Sequence, residues 1–183
     1  MLNSKPRRPR VRVAVFACIA IVALGADQLS KYLAQTYLTE TDYIQVIPRF
    51  LHLTLVHNPG ASLGMGANST WVISLFAIVA CCVLVWMAWR TTSMAWTVFL
   101  ALAFAGALGN LIDRVAYAQG FLNGKVVDFL NYGWSVGNVA DIFLMIAGIG
   151  IIVLILCGVP YRGSDERHRL PDIPITRHME GAQ

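Results

Sequence analysis

Two aspartates stand beside strongly apolar sequence in the second half of the chain, and they are the residues best suited to do chemistry. Asp128 lies within the apolar stretch 126–130, and Asp141 opens a long hydrophobic run. A charged side chain at a membrane boundary is costly, so such a residue usually serves a function. Two carboxyl groups held close together cannot both ionise cheaply, so one keeps its proton near neutral pH. The pair would then offer a base to activate water and an acid to protonate a leaving amine.

The same residues also fit a purely structural interpretation. Asn138 and Asp141 are three positions apart and therefore share a helix face. Asn138 is a favourable N-cap residue, and Asp141 would lie near the positive end of the helix that follows. On these residues alone, helix capping and acid–base chemistry both stay open.

A second group of polar residues occurs where other apolar runs end. Asn110, Asp113 and Arg114 have helical spacing i, i+3 and i+4. Asp113 and Arg114 are neighbours, so each is expected to reach a different partner, such as a loop backbone or a substrate. An anchor for a membrane span at the interface is the alternative. Asp27 and Lys31 are spaced i, i+4 with the acid first, which favours a structural ion pair.

The first polar loop contains a turn signal and two histidines. Asn58, Pro59 and Gly60 favour a turn, and an asparagine there could also hydrogen-bond an extended substrate. His52 and His57 lie in or beside a predicted strand, without the spacing of a zinc motif. We therefore expect neither a metal nor another cofactor.

The composition indicates a membrane protein with a single domain. Of the 183 residues, 57% are hydrophobic and 13% are charged, whereas an ordinary soluble domain has about 45–50% and about 25%. The excess of apolar residues comes in blocks long enough to span a bilayer. We predict an all-α membrane fold, a bundle of four transmembrane helices within residues 1–160. The spans are expected at about residues 11–31, 69–90, 94–114 and 136–159.

The predicted loops, residues 32–68 and 115–135, carry the remaining structure. Residues 51–55 alternate apolar and polar, which is typical of a half-buried strand. We expect a small antiparallel β-sheet in the first loop, lying on the membrane surface. The second loop is long enough for a short surface helix. Residues 161–183 are predicted to be a disordered tail.

The basic residues predict the orientation. If the N-terminus is cytoplasmic, ten Lys and Arg residues lie on the cytoplasmic side and four on the other, in agreement with the positive-inside rule. Both termini are then cytoplasmic. The two loops are extracytoplasmic, and the span ends that carry Asp27, Asp113 and Asp141 face outward. The basic residues flank apolar runs, so the positive net charge does not indicate a nucleic-acid partner.

Five short motifs, read together, resemble the bacterial lipoprotein signal peptidases, or type II signal peptidases. They occur in the family's order and cover most of the chain, at residues 27–31, 58–64, 106–114, 127–129 and 138–141. The resemblance implies an aspartyl intramembrane protease of the bacterial cytoplasmic (inner) membrane, with its site near the outer leaflet. It implies diacylglyceryl-modified prolipoproteins as substrates, cut just before the lipidated cysteine. Membrane lipids are the other expected partners, and no obligate protein partner is predicted.

The resemblance also implies roles for single residues. The catalytic dyad would be Asp128 and Asp141. The residues implied to bind substrate or order the site are Asn58, Gly60, Asn110, Arg114 and Asn138. The supporting polar positions are Asp27, Lys31 and Asp113. One departure is Ser62-Leu63, where the family more often has Ala-Phe, and it concerns loop contacts with substrate.

Two other functions remain as alternatives. Presenilin-like and prepilin-peptidase-like proteases use a Gly-x-Gly-Asp motif, whereas Asp141 follows Asn-Val-Ala. A small proton-coupled transporter could use the same carboxylates as a relay. Carboxylates at mid-bilayer would favour transport, and carboxylates at the outer rim would favour hydrolysis.

Overall fold

The computed structural model describes residues 8–60 and 69–163 as four helices and four short strands. The helices are α1 (Arg8–Tyr37), α2 (Thr70–Arg90), α3 (Met94–Ala116) and α4 (Val139–Leu156). The strands are β1 (Ile44–Ile47), β2 (Leu51–Asn58), β3 (Val126–Asn131) and β4 (Val136–Gly137). All four helices are long and apolar enough to cross a membrane, which confirms the predicted number of spans. Ser62-Leu63 and most of the predicted tail, residues 164–183, lie outside the described residues.

The helix α3 is the centre of the bundle and packs against α1, α2 and α4. Small residues make this possible because they let helix backbones approach closely in an apolar medium. A Cβ atom at Gly106 would lie only 2.6 Å from the carbonyl oxygen of Ala140 in α4. Gly150 in α4 is similarly close to Phe99 in α3, with 2.2 Å between an added Cβ and the ring. The close contact between α3 and α4 therefore requires glycine at both positions, because a side chain at either would clash with the facing helix.

The four strands form one antiparallel sheet in the order β1-β2-β3-β4. The strand β2 comes from the loop before α2 and pairs with β3 from the loop after α3, with Asn58 opposite Val126. A small apolar core joins the sheet to the end of α1. Its buried members are Ala34, Leu38, Leu55, Val127 and Phe129. The sheet is thereby fixed against the helical bundle.

The prediction of a surface helix within residues 115–135 is wrong. Beyond the end of α3, this loop forms turns and the strand β3, and it contains no helix. Its apolar stretch begins with two β-branched residues, Val126 and Val127, and its first four residues are buried. Such a short apolar run suits a strand enclosed on both faces, and periodicity alone does not distinguish it from a buried helix.

Both ends of two helices differ from the prediction by three residues or more. The helix α1 runs from Arg8 to Tyr37, beyond the expected bounds at both ends, and its extension past residue 31 carries Ala34 into the apolar core beneath the sheet. The helix α4 begins at Val139, three residues later than expected, because residues 136–137 pair with β3 as strand β4. The helix α4 ends at Leu156, three residues earlier than expected.

The α2–α3 turn at the end of the bundle away from the sheet is fastened to the segment that follows α4. The hydroxyl of Thr91 donates to the carbonyl of Tyr161 over 2.7 Å, and the backbone N–H of Thr92 donates to the same oxygen over 3.1 Å. Trp96 donates its indole N–H to the carbonyl of Val159 over 3.1 Å. Arg12 of α1 donates to the carbonyl of Thr91. These bonds hold α1, the α2–α3 turn and the end of α4 together.

Candidate active site

Asp128 lies on β3, where two asparagines hold its carboxylate. Asn58 donates to Oδ2 over 2.8 Å, and Asn138 donates to Oδ1 over 2.7 Å. Only 2% of Asp128 is exposed. Burial raises the pKa of Asp128 from 3.8 to about 6; the hydrogen bond from Asn58 opposes the increase, and the charge of Asp141 adds to it. This carboxyl group is therefore able to hold a proton much closer to neutral pH than an ordinary aspartate.

Asp141 lies in the first turn of α4 and takes part in a capping box with Asn138. Its Oδ2 accepts from the backbone N–H of Asn138 over 3.1 Å, and the Asn138 side chain accepts from the backbone N–H of Asp141. Its Oδ1 accepts from Asn110 over 2.9 Å. The capping interpretation is confirmed, and it is compatible with chemistry because the cap fixes one oxygen while the carboxylate still lines the cavity described below.

Asn110 and Asn138 connect the two aspartates through a short chain of hydrogen bonds. The amide nitrogen of Asn138 donates both to Asp128 and to the side-chain oxygen of Asn110, the latter over 3.0 Å. Asn110 in turn donates to Asp141. All four side chains are thus held in one network, which fixes the aspartates relative to each other.

A buried ionic cluster lies behind this network. Lys31 contacts Asp27 over 3.0 Å and Asp113 over 2.9 Å, which confirms the predicted ion pair and adds a second. Lys31 also donates to Asn110 over 3.0 Å. One ammonium group thus faces two carboxylates, and neutral donors such as Gln28 supply further hydrogen bonds to both acids, which buried charges require.

The two acids of this cluster also hold the backbone next to the candidate dyad. Asp27 accepts from the backbone N–H of Ala140 over 2.8 Å, and Asp113 accepts from that of Val127 over 3.1 Å. Each bonded residue immediately precedes one of the two aspartates. Gln28, which the sequence did not single out, donates to both Asp27 and Asp113. The only signal for Gln28 in the sequence was its position between Asp27 and Lys31.

Arg114 turns away from Asp113 and reaches the first loop, which confirms that the two neighbours have different partners. It donates to the carbonyl of Gly60 over 2.9 Å and to that of Asn110 over 3.2 Å. Gly60 is placed by a turn in which its N–H donates to the side chain of Asn58 over 2.9 Å. Arg114 is buried, which disfavours a role as an interfacial anchor.

Both aspartates line a cavity of about 700 Å³. Asn58, Gly60, Asn110 and Arg114 also line it, whereas Asn138 is fully buried behind it. The sequence did not identify its aromatic wall, Phe50, Tyr132 and Trp134, or its aliphatic wall, Ile142, Leu144 and Met145. The signal available in the sequence was a tryptophan, Trp134, within a polar loop.

The aromatic wall includes a stacked pair. The rings of Tyr132 and Trp134 are 6.2 Å apart with 28° between their planes, and 77% of Trp134 is exposed. Burial and the charges of Asp141 and Asp128 raise the pKa of Tyr132, so its phenol stays neutral. An apolar, half-open cavity with few convergent polar groups is typical of a binding site for an organic substrate.

Both histidines of β2 have partners unrelated to metal binding. His57 contacts Glu40 over 3.0 Å, and His52 stacks on Tyr43 with 4.3 Å between ring centres. Within residues 8–60 and 69–163, no group of three His, Cys, Asp or Glu side chains could hold a metal ion.

The depth of the two carboxylates argues against a proton relay through the bilayer. Asp141 occupies the first turn of its helix, and Asp128 lies on a strand outside the helices. Neither carboxylate lies in the middle of a span, where a transport site is expected.

The family model described as Signal peptidase (SPase) II matches residues 19–157. A lipoprotein signal peptidase of Bifidobacterium adolescentis is 62% identical over 164 residues, which cover 90% of this chain and 88% of that protein. A lipoprotein signal peptidase of Mycobacterium leprae is 35% identical over 173 residues, with 94% and 86% covered. A solved structure of a bacterial membrane enzyme has a TM-score of 0.72 and 31% identity, and the match covers 86% of this chain and 94% of that one. The chain therefore belongs to the signal peptidase II family and is a multi-pass membrane protease.

Proposed function

We propose that the protein is an aspartic endopeptidase whose catalytic residues are Asp128 and Asp141. It removes the signal peptide from diacylglyceryl-modified prolipoproteins by hydrolysing the bond before the lipidated cysteine. The observation that carries this proposal is that both carboxylates line one cavity and are joined through Asn110 and Asn138.

The reaction needs one proton on the pair at the start. The raised pKa of Asp128 supports this state, and the shared proton belongs to the pair, not to one residue. The ionised carboxylate takes a proton from water as the water oxygen attacks the scissile carbonyl. The protonated carboxyl group gives its proton to the carbonyl oxygen, which forms a neutral tetrahedral diol.

The second half of the reaction breaks the carbon–nitrogen bond. The carboxyl group that received the water proton passes a proton to the departing nitrogen, and the other carboxylate recovers a proton from a diol hydroxyl. The products are a signal peptide with a new carboxylate and a lipoprotein with a free cysteine amine. The dyad ends with one proton, as it began.

The position of the cavity suits a substrate held partly in lipid. One wall is formed by Ile142, Leu144 and Met145 of α4, a helix apolar enough to span the membrane, and the opposite wall by the sheet. The acyl chains can stay in the bilayer while the peptide crosses to the dyad. By the positive-inside rule, we place both termini in the cytoplasm and the cavity near the outer leaflet of the bacterial cytoplasmic membrane.

The test is cleavage of a lipidated precursor peptide by the purified protein in lipid nanodiscs. Asp128→Asn and Asp141→Asn are each expected to lower kcat/KM by about 10²- to 10⁴-fold, the usual contribution of acid–base groups. Asp42→Asn is the matched control, because Asp42 bonds to Thr39 in a surface turn outside the cavity.

Three further observations would contradict the proposal. One is near-normal turnover by either dyad variant with an intact fold. Another is loss of wild-type activity on addition of a chelator, since the proposed chemistry uses no metal. The third is equal cleavage of the same peptide with and without its diacylglyceryl group, which would remove lipidation from the definition of the substrate.

A further inference from the structure

The strand β4 forms one edge of the sheet and borders the cavity. Within the described part of the chain, β4 pairs with β3 on one side and with no strand on the other. Val136 and Gly137 both line the cavity that contains Asp128 and Asp141. An open sheet edge presents backbone donors and acceptors to which an extended peptide can pair.

The hydrogen-bond register shows which backbone groups of β4 face outward. Tyr132 donates its N–H to the carbonyl of Ser135 over 2.9 Å, and the next facing pair is Asn131 with Val136. Hydrogen-bonded and non-hydrogen-bonded pairs alternate along an antiparallel ladder. Asn131 and Val136 are therefore a non-hydrogen-bonded pair, and the N–H and C=O of Val136 point away from β3.

We infer that the substrate main chain binds as an additional strand on β4, through both backbone groups of Val136. The N–H of Val136 donates to a substrate carbonyl, and the carbonyl of Val136 accepts from the N–H of the same substrate residue. The peptide then lies about 4.8 Å from β4, the usual separation of paired strands. This inference rests on the proposed function and specifies how that site recognises its substrate.

The position of β4 relative to the dyad supports this binding mode. Asn138 follows directly after β4, and its side chain donates to Asp128 and accepts from the backbone of Asp141. A peptide paired with Val136 therefore passes within one or two residues of both carboxylates. Recognition through main-chain groups is largely independent of substrate side chains, so one site can process many precursor sequences.

N-methylated substrate peptides can test this pairing with the wild-type protein. Of the two residues of β4, only Val136 points its backbone N–H and C=O away from β3. A single substrate N–H therefore pairs with the carbonyl of Val136. N-methylation of that single residue in the lipidated precursor peptide should raise KM by about fivefold to tenfold, the effect of one lost hydrogen bond. N-methylation of its two neighbours should have a smaller effect. A flat response across the residues that flank the scissile bond would overturn the inference.

A substitution in β4 tests the hydrogen bond that the N–H of Val136 donates to the substrate. Val136→Pro removes the outward N–H without removing a bond to β3, and proline is tolerated in edge strands of this kind. KM should rise by about fivefold to tenfold, and Val136→Ala, which retains the N–H, should change KM less. Val46→Pro is the matched control, because Val46 lies at an irregularity of the opposite edge strand and is 51% exposed.

The outcomes separate this inference from the proposed function. If the wild-type protein cleaves the unmodified peptide and Asp128→Asn does not, the proposed function stands. If Val136→Pro and the methylated peptides are then processed with wild-type KM, the inference fails on its own. The Val136→Pro variant can also be tested with the peptide whose N-methylation raises KM most. If the two increases in KM do not multiply, both changes act on one pairing, as inferred.

Discussion

Asn138 donates a hydrogen bond of 2.7 Å to Asp128, although one residue caps α4 and the other lies on β3. The same amide nitrogen donates to Asn110, and the side-chain oxygen of Asn138 accepts from the N–H of Asp141. One side chain therefore begins a helix and also fixes the strand aspartate. The start of α4 and the geometry of the dyad are not independent.

This double role can be separated by substitution. Asn138→Ser keeps a good capping oxygen but loses the amide that joins Asp128 to Asn110, so we expect activity to fall by about 10²-fold or more while the fold persists. Asn138→Ala loses both functions and should also lower stability by about 1 kcal/mol. Peptide cleavage and thermal unfolding in the same detergent measure the two effects. Equal activity in the serine variant and the wild type would argue against the network.

The buried ionic cluster of Asp27, Lys31 and Asp113 should contribute strongly to the stability of the protein around the candidate site. Lys31 is 2% exposed and lies between Asp27 and Asp113, so Lys31→Met leaves buried negative charge without its partner. We expect a loss of about 3–5 kcal/mol in the free energy of unfolding. Lys31→Met combined with Asp27→Asn should recover part of this loss, as measured by denaturant titration in micelles. A double variant no more stable than Lys31→Met would rule out charge as the cause.

The pKa of Asp128 predicts the pH dependence of cleavage. Because the pKa is raised to about 6, the pair keeps its shared proton below about pH 6 and loses it above. Since the proposed reaction needs that proton, kcat/KM should decrease about tenfold per pH unit on the alkaline side. Asn58→Ala removes a hydrogen bond that favours the ionised form, so the decrease should begin at higher pH. An alkaline limb that stays in place, or that moves to lower pH, would contradict this assignment.

The aromatic wall should contribute to substrate binding more than to folding. Trp134 lines the cavity and is 77% exposed, so Trp134→Ala should raise KM several-fold with little change in the unfolding temperature. Phe121→Ala is the matched control, since Phe121 is 71% exposed but does not line the cavity. A similar KM in the two variants would show that contact with the cavity wall is unimportant.

The features carried by local sequence were predictable. Four apolar runs of sufficient length specified the four helices. The cost of placing an ionisable group beside apolar sequence singled out Asp128 and Asp141 before any geometry was known. The spacing of Asp27 and Lys31 specified an ion pair because a helix brings residues four apart together.

The features that depend on distant residues were not predictable. The strand β3 pairs with β2, and Asp128 lies beside Asn58, the last residue of β2, which is 70 positions earlier in the chain. The residues of β3 alone fit a surface helix as well as a strand, and only the partner strand decides between them. The contribution of Gln28 has the same origin, because its acceptors Gly109 and Asp113 lie on another helix.

The bond from Ala140 to Asp27 joins residues 113 positions apart, in α4 and α1. During synthesis, the ribosome must release all four helices before this contact can form. A partly inserted chain lacks the complete proposed dyad, because Asp141 itself arrives with α4. We therefore expect that nascent chains cannot hydrolyse neighbouring polypeptides at the translocon, and that proteolytic competence begins only when membrane insertion has ended.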